Sequence, residues 1–315
     1  MPRVLIIKPS SLGDIIHGLQ VAQSLRAQAP AAQVDWVVAT AFAPLVRACP
    51  VVDHVYEFRR QEGWGAFLSL IKDIRGETYD WALDLQGLAR SGMLLLAAKA
   101  THKAGRADGR EGAWFMARRH PKLPLRGRHA HALDILRQFL PLMGFDAGLS
   151  EAPLEFLPAE RPALSPEFAR RAPVVMFPDS RVKKKEWPGF YELTTRLLKS
   201  QPEVPIVWAG SSGPEPELAW PEERFANLLG RTGLEQLPEL IASARLVICN
   251  DSGPMHLAAA MHRPVVALFG PTDHERFGPY PLMSPRHTII RAPEGKLAKL
   301  SVDTVMMNVE QALKG

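Results

Sequence analysis

The chain has 315 residues, more than a single hydrophobic core usually serves, so two domains of about 150 residues each are expected. Hydrophobic residues make up 46% and charged residues 23%, the balance of an ordinary globular protein, and no apolar run nears the roughly 18 to 20 residues of a membrane-spanning helix. The net charge of +5 mildly favours an anionic partner, and the two cysteines, Cys49 and Cys249, support neither a disulfide framework nor a metal cluster; both read as buried thiols.

The N-terminal MPRVLIIKPSSLGD holds a charge and a short apolar run without a small-residue cleavage site. It reads as a strand at 4–8 rather than a signal peptide, which places the protein in the cytoplasm. Pro9-Ser10-Ser11-Leu12-Gly13-Asp14 then turns into a helix at 15–28, whose apolar residues recur at helical spacing. Strands at 34–39, 54–58 and 81–85 alternate with helical patterns at 41–48, 64–75 and 88–99, the rhythm of a parallel doubly wound sheet. Between Lys99 and His131 the cations crowd together: Lys103, Arg106, Arg110, Arg118, Arg119, Lys122, Arg126 and Arg128 stand against only Asp108 and Glu111. Nucleic acid, an anionic membrane face or a phosphorylated substrate each fits such a segment. A helix at 130–143 follows, then a proline-punctuated stretch over 153–173.

The second half repeats the pattern, with strands at 174–177, 206–209, 246–249 and 265–270, helices at 188–200, 234–244 and 253–262, and a last helix at 302–314. The expected fold is α/β with two Rossmann-like, doubly wound domains, 1–155 and 173–315, joined by a linker at 156–172 and facing a central cleft.

Chemistry concentrates at the strand ends. In RLVICNDSGPMHLAAAMHRPVVALFGPTD a buried strand stops at Asn250 and Asp251, and a helix opens at Gly253 with Pro254 in its first turn. Asp251 or Ser252 can cap that helix, or its amides and dipole can meet a phosphate. His256 lies one turn along, and the next strand ends in a second polar corner, Gly270-Pro271-Thr272-Asp273. A third strand end, Pro178-Asp179-Ser180-Arg181, leads into Lys183, Lys184 and Lys185, either a solvated loop or cations for a diphosphate. Asp14 is either a helix cap or a general base. The phosphate-binding GxxxxGK[ST] and GxGxxG loops are missing, as are GxSxG, HExxH and paired CxxC motifs, so dinucleotide, hydrolase and zinc chemistries lack support.

Four motifs, KPSSLGDIIHGL, DLQGLARSG, SRVKKKEWP and NDSGPMHLAAAMHRPVVALFGPTD, occur in an order that resembles the bacterial lipopolysaccharide heptosyltransferases, family-nine glycosyltransferases of GT-B fold. The resemblance spans nearly the whole chain, and the LQGLARSG element is most similar to heptosyltransferase I. It implies an inverting, metal-independent transfer of L-glycero-D-manno-heptose from ADP-heptose to a Kdo sugar of the lipopolysaccharide inner core. On this resemblance Asp14 is the catalytic base, with Ser10, Ser11 and Gly13 in the turn beside it. Lys185, Asp251, Ser252, Gly253, His256 and Thr272 bind the donor. Where the family commonly has Thr-Gly-Leu-Ser-His, this chain has Ser252-Gly253-Pro254-Met255-His256.

The acceptor implied is a Kdo-lipid A at the cytoplasmic face of the inner membrane, touched peripherally, with Arg106, Arg110, Arg118, Arg119 and Arg128 as its expected contacts. Neither a cofactor nor a metal is implied. The readings that compete are heptosyltransferase II, another family-nine transferase, and, outside enzymes, an anion- or nucleic-acid-binding protein. Against nucleic acid, the basic segment is read as lacking interleaved aromatics.

Overall fold

The computed structural model describes residues 2–160, 164–180, 182–211 and 220–314. The chain divides into two compact units, Met1–Leu157 and Pro158–Gly315. The first holds β1 (Arg3–Ile7), β2 (Gln33–Ala39), β3 (His54–Phe58), β4 (Tyr79–Asp84) and β5 (Ala100–Gly105), ordered β3-β2-β1-β4-β5. All their pairings are parallel. The second holds β6 (Val174–Phe177), β7 (Ile206–Gly210), β8 (Phe225–Leu229), β9 (Leu246–Asn250), β10 (Val265–Phe269) and β11 (His287–Arg291), ordered β11-β10-β9-β6-β7-β8 and again parallel.

The central strands are near-continuous Val, Ile and Leu runs because helices cover both faces. The helix Leu12–Gln28 is buried on most of its surface, and Gly18 lets it approach the sheet: a Cβ there would lie 2.8 Å from the ring of Trp36. On β1 and its neighbours, Leu5, Ile7 and Ala82 share a core with Phe67 and Leu70 of the helix Gly63–Ile74 and Leu94 and Leu95 of the helix Ala89–Ala97. A second core forms around Met176, Ile248 and Leu268 in the other unit.

In each unit the chain runs outward from its first strand, then returns to that strand's other side. The order therefore reverses between β1 and β4, and again between β6 and β9. Ligands of doubly wound sheets gather beyond the strand carboxyl ends at such reversal points.

Three strands go beyond the sequence reading: β5, β8 and β11 all lie at sheet edges. Half exposed, they lack the continuous apolar run of a central strand. The helix expected at 130–143 is two short helices, Ala132–Leu136 and Phe139–Leu142. Pro141 has no N–H for the Arg137 carbonyl, which accepts from Leu140 N at 3.1 Å instead. The helix expected from 234 begins only at Leu237. Cys49 and Cys249 are free and buried, as expected; burial pushes the Cys49 thiol up to about 12 and raises that of Cys249 too. Among the described residues no helix is long and apolar enough to cross a membrane.

Candidate active site

At the first reversal point, β1 ends at Ile7 and delivers Lys8 into the interior. Its backbone is fixed by an N–H to the Val37 carbonyl (3.1 Å) and by its own carbonyl, which accepts from Trp36 Nε1 (3.2 Å). The Lys8 ammonium lies 3.5 Å from Asp14 Oδ1; the lysine side chain is 2% exposed and the aspartate 37%. Asp14 Oδ2 accepts from the Ser11 N–H (3.2 Å) and hydroxyl (2.8 Å). Asp14 thus ties down the helix start and still reaches solvent, so the cap leaves it accessible. Burial would raise its pKa, but Lys8, then His17 and Ser11, outweigh this and hold it below the usual carboxylate range.

Across the reversal, Asp84 at the end of β4 is fully buried and organises the next turn. Its carboxylate accepts from the N–H groups of Gln86 (2.9 Å) and Gly87 (3.0 Å) and from Ser91 Oγ (3.0 Å). Burial nevertheless raises its pKa. Gln86 Oε1 accepts from Ser10 N at 3.4 Å, joining the two strand ends. Gly87 has φ +71°, and a Cβ on it would lie 3.0 Å from Arg106 Cδ, so the turn requires glycine. In the sequence Asp84 is one residue of the DLQGLARSG motif with nothing to mark this role, and Lys8 is only the last residue of the strand expected at 4–8.

At the second reversal point, Lys185 Nζ meets Asp251 Oδ2 at 2.6 Å, uniting two residues singled out from motifs 66 positions apart. Here the lysine side chain is 29% exposed and the aspartate 7%. Asn250 braces the pair: its Oδ1 accepts from Trp187 N (3.1 Å) and its Nδ2 donates to the Pro178 carbonyl (2.9 Å). The Trp187 ring is buried and its Nε1 donates to the Leu300 carbonyl (2.9 Å), so the basic loop is anchored immediately after Lys185. Asn250 escaped the sequence reading because it looked like a simple strand terminator.

Ser252 occupies the N-cap position of the helix Gly253–Ala260 but does not cap it; the hydroxyl donates backward to the Asn250 carbonyl at 3.2 Å. His256 is buried one turn along, and Thr272 is half-buried beyond the neighbouring strand β10. Asp273 caps the short helix His274–Phe277, accepting from Glu275 N at 3.0 Å. Lys183 pairs with Glu186 at 2.9 Å, and Lys184 is exposed. Arg181 lies outside the described residues.

The cations of the basic segment have different local settings. Arg106 is clamped by both oxygens of Asp108 (2.8 and 2.7 Å) under Gly87, whose carbonyl accepts from Arg110 N at 2.8 Å. Arg118 and Arg119 run beside β5, with backbone bonds from Arg119 to Lys103 and Gly105 and the Arg119 guanidinium 5.7 Å from the centre of the Trp81 ring. Arg128 is exposed in the turn Gly127–His129, close in sequence to His131, whose ring packs edge-on against His17 at 5.4 Å. The expectation of no interleaved aromatics is corrected: Trp114 and Phe115 stand among these cations, and Phe115 is 84% exposed. Both rings are exposed; they follow the left-handed Gly112 in a short helical turn, Ala113–Met116, whose Ala113 and Met116 lie against Gly92 of the helix Ala89–Ala97.

The family model for glycosyltransferase family 9 (heptosyltransferase) matches residues 67–309, well over half the chain. The chain belongs to that family. It is therefore a glycosyltransferase, and its two parallel-sheet units are those of the GT-B class. Lipooligosaccharide heptosyltransferase 2 of Haemophilus influenzae is 30% identical, covering 94% of this chain and 90% of that protein. Lipopolysaccharide heptosyltransferase 1 of Salmonella typhimurium is 29% identical, covering 96% and 98%. Among solved structures, the E. coli heptosyltransferase WaaC with ADP matches with a TM-score of 0.80 at 24% identity, covering 98% of this chain and 99% of that one.

Proposed function

We propose that this family-9 enzyme transfers L-glycero-D-manno-heptose, with inversion, from ADP-heptose to a Kdo sugar of nascent lipopolysaccharide. The observation that carries the reading is Asp14: an ionised carboxylate at a sheet reversal point, fixed by Ser11 on one oxygen and open to solvent. In the reaction it takes the proton of the acceptor hydroxyl as that oxygen bonds to the anomeric carbon. The bond from that carbon to the diphosphate breaks, and its electron pair leaves on ADP. Lys185 and the amide end of the helix Gly253–Ala260 meet the departing charge, with the Ser252 hydroxyl turned away from those amides. These fixed charges do the work that a metal does elsewhere, so activity should survive EDTA. The relatives named for ADP and heptose support the donor.

For the acceptor, the cations flanking Gly87 and Arg128 suit carboxylates and phosphates of a Kdo-lipid A. The exposed rings of Phe115 and Trp64, set among arginines, suit peripheral contact with an anionic inner-membrane face. A second reading has its own support: of two relatives at 30% identity one is named a heptosyltransferase 2 and the other a heptosyltransferase 1, and the former points to an acceptor already bearing heptose. Incubating the chain with ADP-heptose and either Kdo-lipid A or heptosyl-Kdo-lipid A, with product masses as readout, separates the two. Product from the first acceptor only is expected; product from the second only would transfer the assignment to that acceptor, and product from neither would remove both.

A further inference from the structure

We propose that Lys8 is a positioning residue for the transfer, its buried ammonium beside Oδ1 holding the Asp14 carboxylate charged and in one orientation at the mouth of the first strand. This rests on the reading of Asp14 as the base. Lysine is among the residues least often fully buried, and burying its cation is costly without an anion beside it. Lys8 is nevertheless 1% exposed, at the end of a central strand, where an apolar side chain would fill the space at no such cost. Asp14 is its ion-pair partner, and Asp84 on the adjacent strand end also acts on it electrostatically.

The groups bearing on this pair come from every neighbouring element. His17 and Ser11 act on Asp14 from its own helix and turn, Asp84 acts on Lys8 from β4, and Arg106 opposes the lysine charge from beyond β5. Burial lowers the Lys8 pKa, Asp14 raises it, Arg106 lowers it and Asp84 raises it. The 3.5 Å separation from Oδ1 is longer than an ordinary hydrogen bond, whereas Oδ2 already accepts two bonds from Ser11. Oδ1 is thus the oxygen with capacity left to accept a proton.

A carboxylate held this way is a weak base that stays ionised at lower pH than a free aspartate. That suits a displacement in which the hydroxyl becomes acidic only as its oxygen bonds to the anomeric carbon, late enough for a weak base to suffice. Proton arrival on Oδ1 also cancels the attraction to Lys8, which favours return of the proton to water after ADP departs.

The test is the pH profile of kcat at saturating substrates for the natural chain, Lys8→Met and Lys8→Gln. The natural enzyme should keep its kcat below the ordinary aspartate range of about 4. In both variants the acid limb should move up by about 1 pH unit or more, with the donor KM unchanged within about twofold. A purely structural lysine would lower Tm without moving that limb. An unmoved acid limb in a folded variant, with Asp14→Asn inactive, overturns the proposal alone; should neither variant fold, a natural acid limb at or above about pH 4 overturns it. Near-normal turnover in Asp14→Asn instead removes the base reading on which it rests.

Discussion

The two units each place one Lys–Asp pair at the point where strand order reverses, and the pairs are inverted. In the first, Lys8 is buried and Asp14 reaches solvent; in the second, Asp251 is buried and Lys185 reaches solvent. The same two residue types therefore present an anion in one unit and a cation in the other, and the buried partner in each case holds the exposed one in place. A surface Lys–Asp contact alone contributes little and is screened by salt. Burying one member makes the pair a fixed feature of the fold, and which member is buried decides what a ligand meets: an anion in the first unit, a cation in the second.

The sharpest way to break the comparison is to remove the exposed member of the first pair. Asp14→Asn keeps the shape and loses the charge, so kcat should fall by roughly 100-fold or more, the usual scale for a lost general base, while ADP binding stays intact. Steady-state kinetics at saturating substrates show this directly; turnover near that of the natural chain would leave Asp14 as a helix cap only.

Removing the exposed member of the second pair should act on binding. On the proposed function Lys185→Ala removes a charge-assisted contact to the diphosphate, so ADP affinity should weaken by about 10- to 100-fold by calorimetry. Asp251→Ala leaves Lys185 without its brace and should weaken the donor by about tenfold, the smaller end of the same range. Full activity in EDTA belongs with these outcomes; abolition by EDTA with rescue by magnesium would contradict the role given to Lys185.

Acidification separates the pairs further. The folded-state pKa of Asp14 is depressed, so the stability it contributes is present above its unfolded value of about 4 and is lost as pH falls through the folded value. Because Asp14 is more than a third exposed, solvent screens this contribution, and an acid-unfolding midpoint only slightly higher in Asp14→Asn is expected. The smallest effects belong to the exposed arginines. Arg110→Ala, or Ala at both Arg118 and Arg119, should raise the acceptor KM about two- to fivefold and flatten its salt dependence without touching donor binding, since exposed charges are screened over about 8 Å. An unaltered salt slope would return the segment to an ordinary solvated surface.

The residues that were legible in the sequence are those whose chemistry repeats along the chain. Central strands such as Leu246–Asn250 announce themselves by unbroken apolar runs, whereas the edge strand Ala100–Gly105 contains threonine, histidine and lysine and has no such run. Asp14, Lys185 and Asp251 stand in recognisable strand-end motifs. Their supports do not: Lys8 and Asp84 act through burial, and Asn250 through partners 63 and 72 residues away, and neither property is local. Ser252 shows the opposite failure, since it has the right type and position for a cap and yet bonds backward to Asn250. The arginines of the basic segment look alike in sequence, but their settings differ: Arg106 is clamped by Asp108, Arg119 bonds beside β5, and Arg128 is exposed in a turn.

The most direct test of the inverted pairs is ADP binding by calorimetry on Asp14→Asn and Lys185→Ala, measured side by side with the natural chain. Affinity within about twofold of natural is expected for Asp14→Asn, and at least about tenfold weaker for Lys185→Ala. A loss of ADP affinity in Asp14→Asn equal to or greater than that in Lys185→Ala would contradict the division of work between the two units.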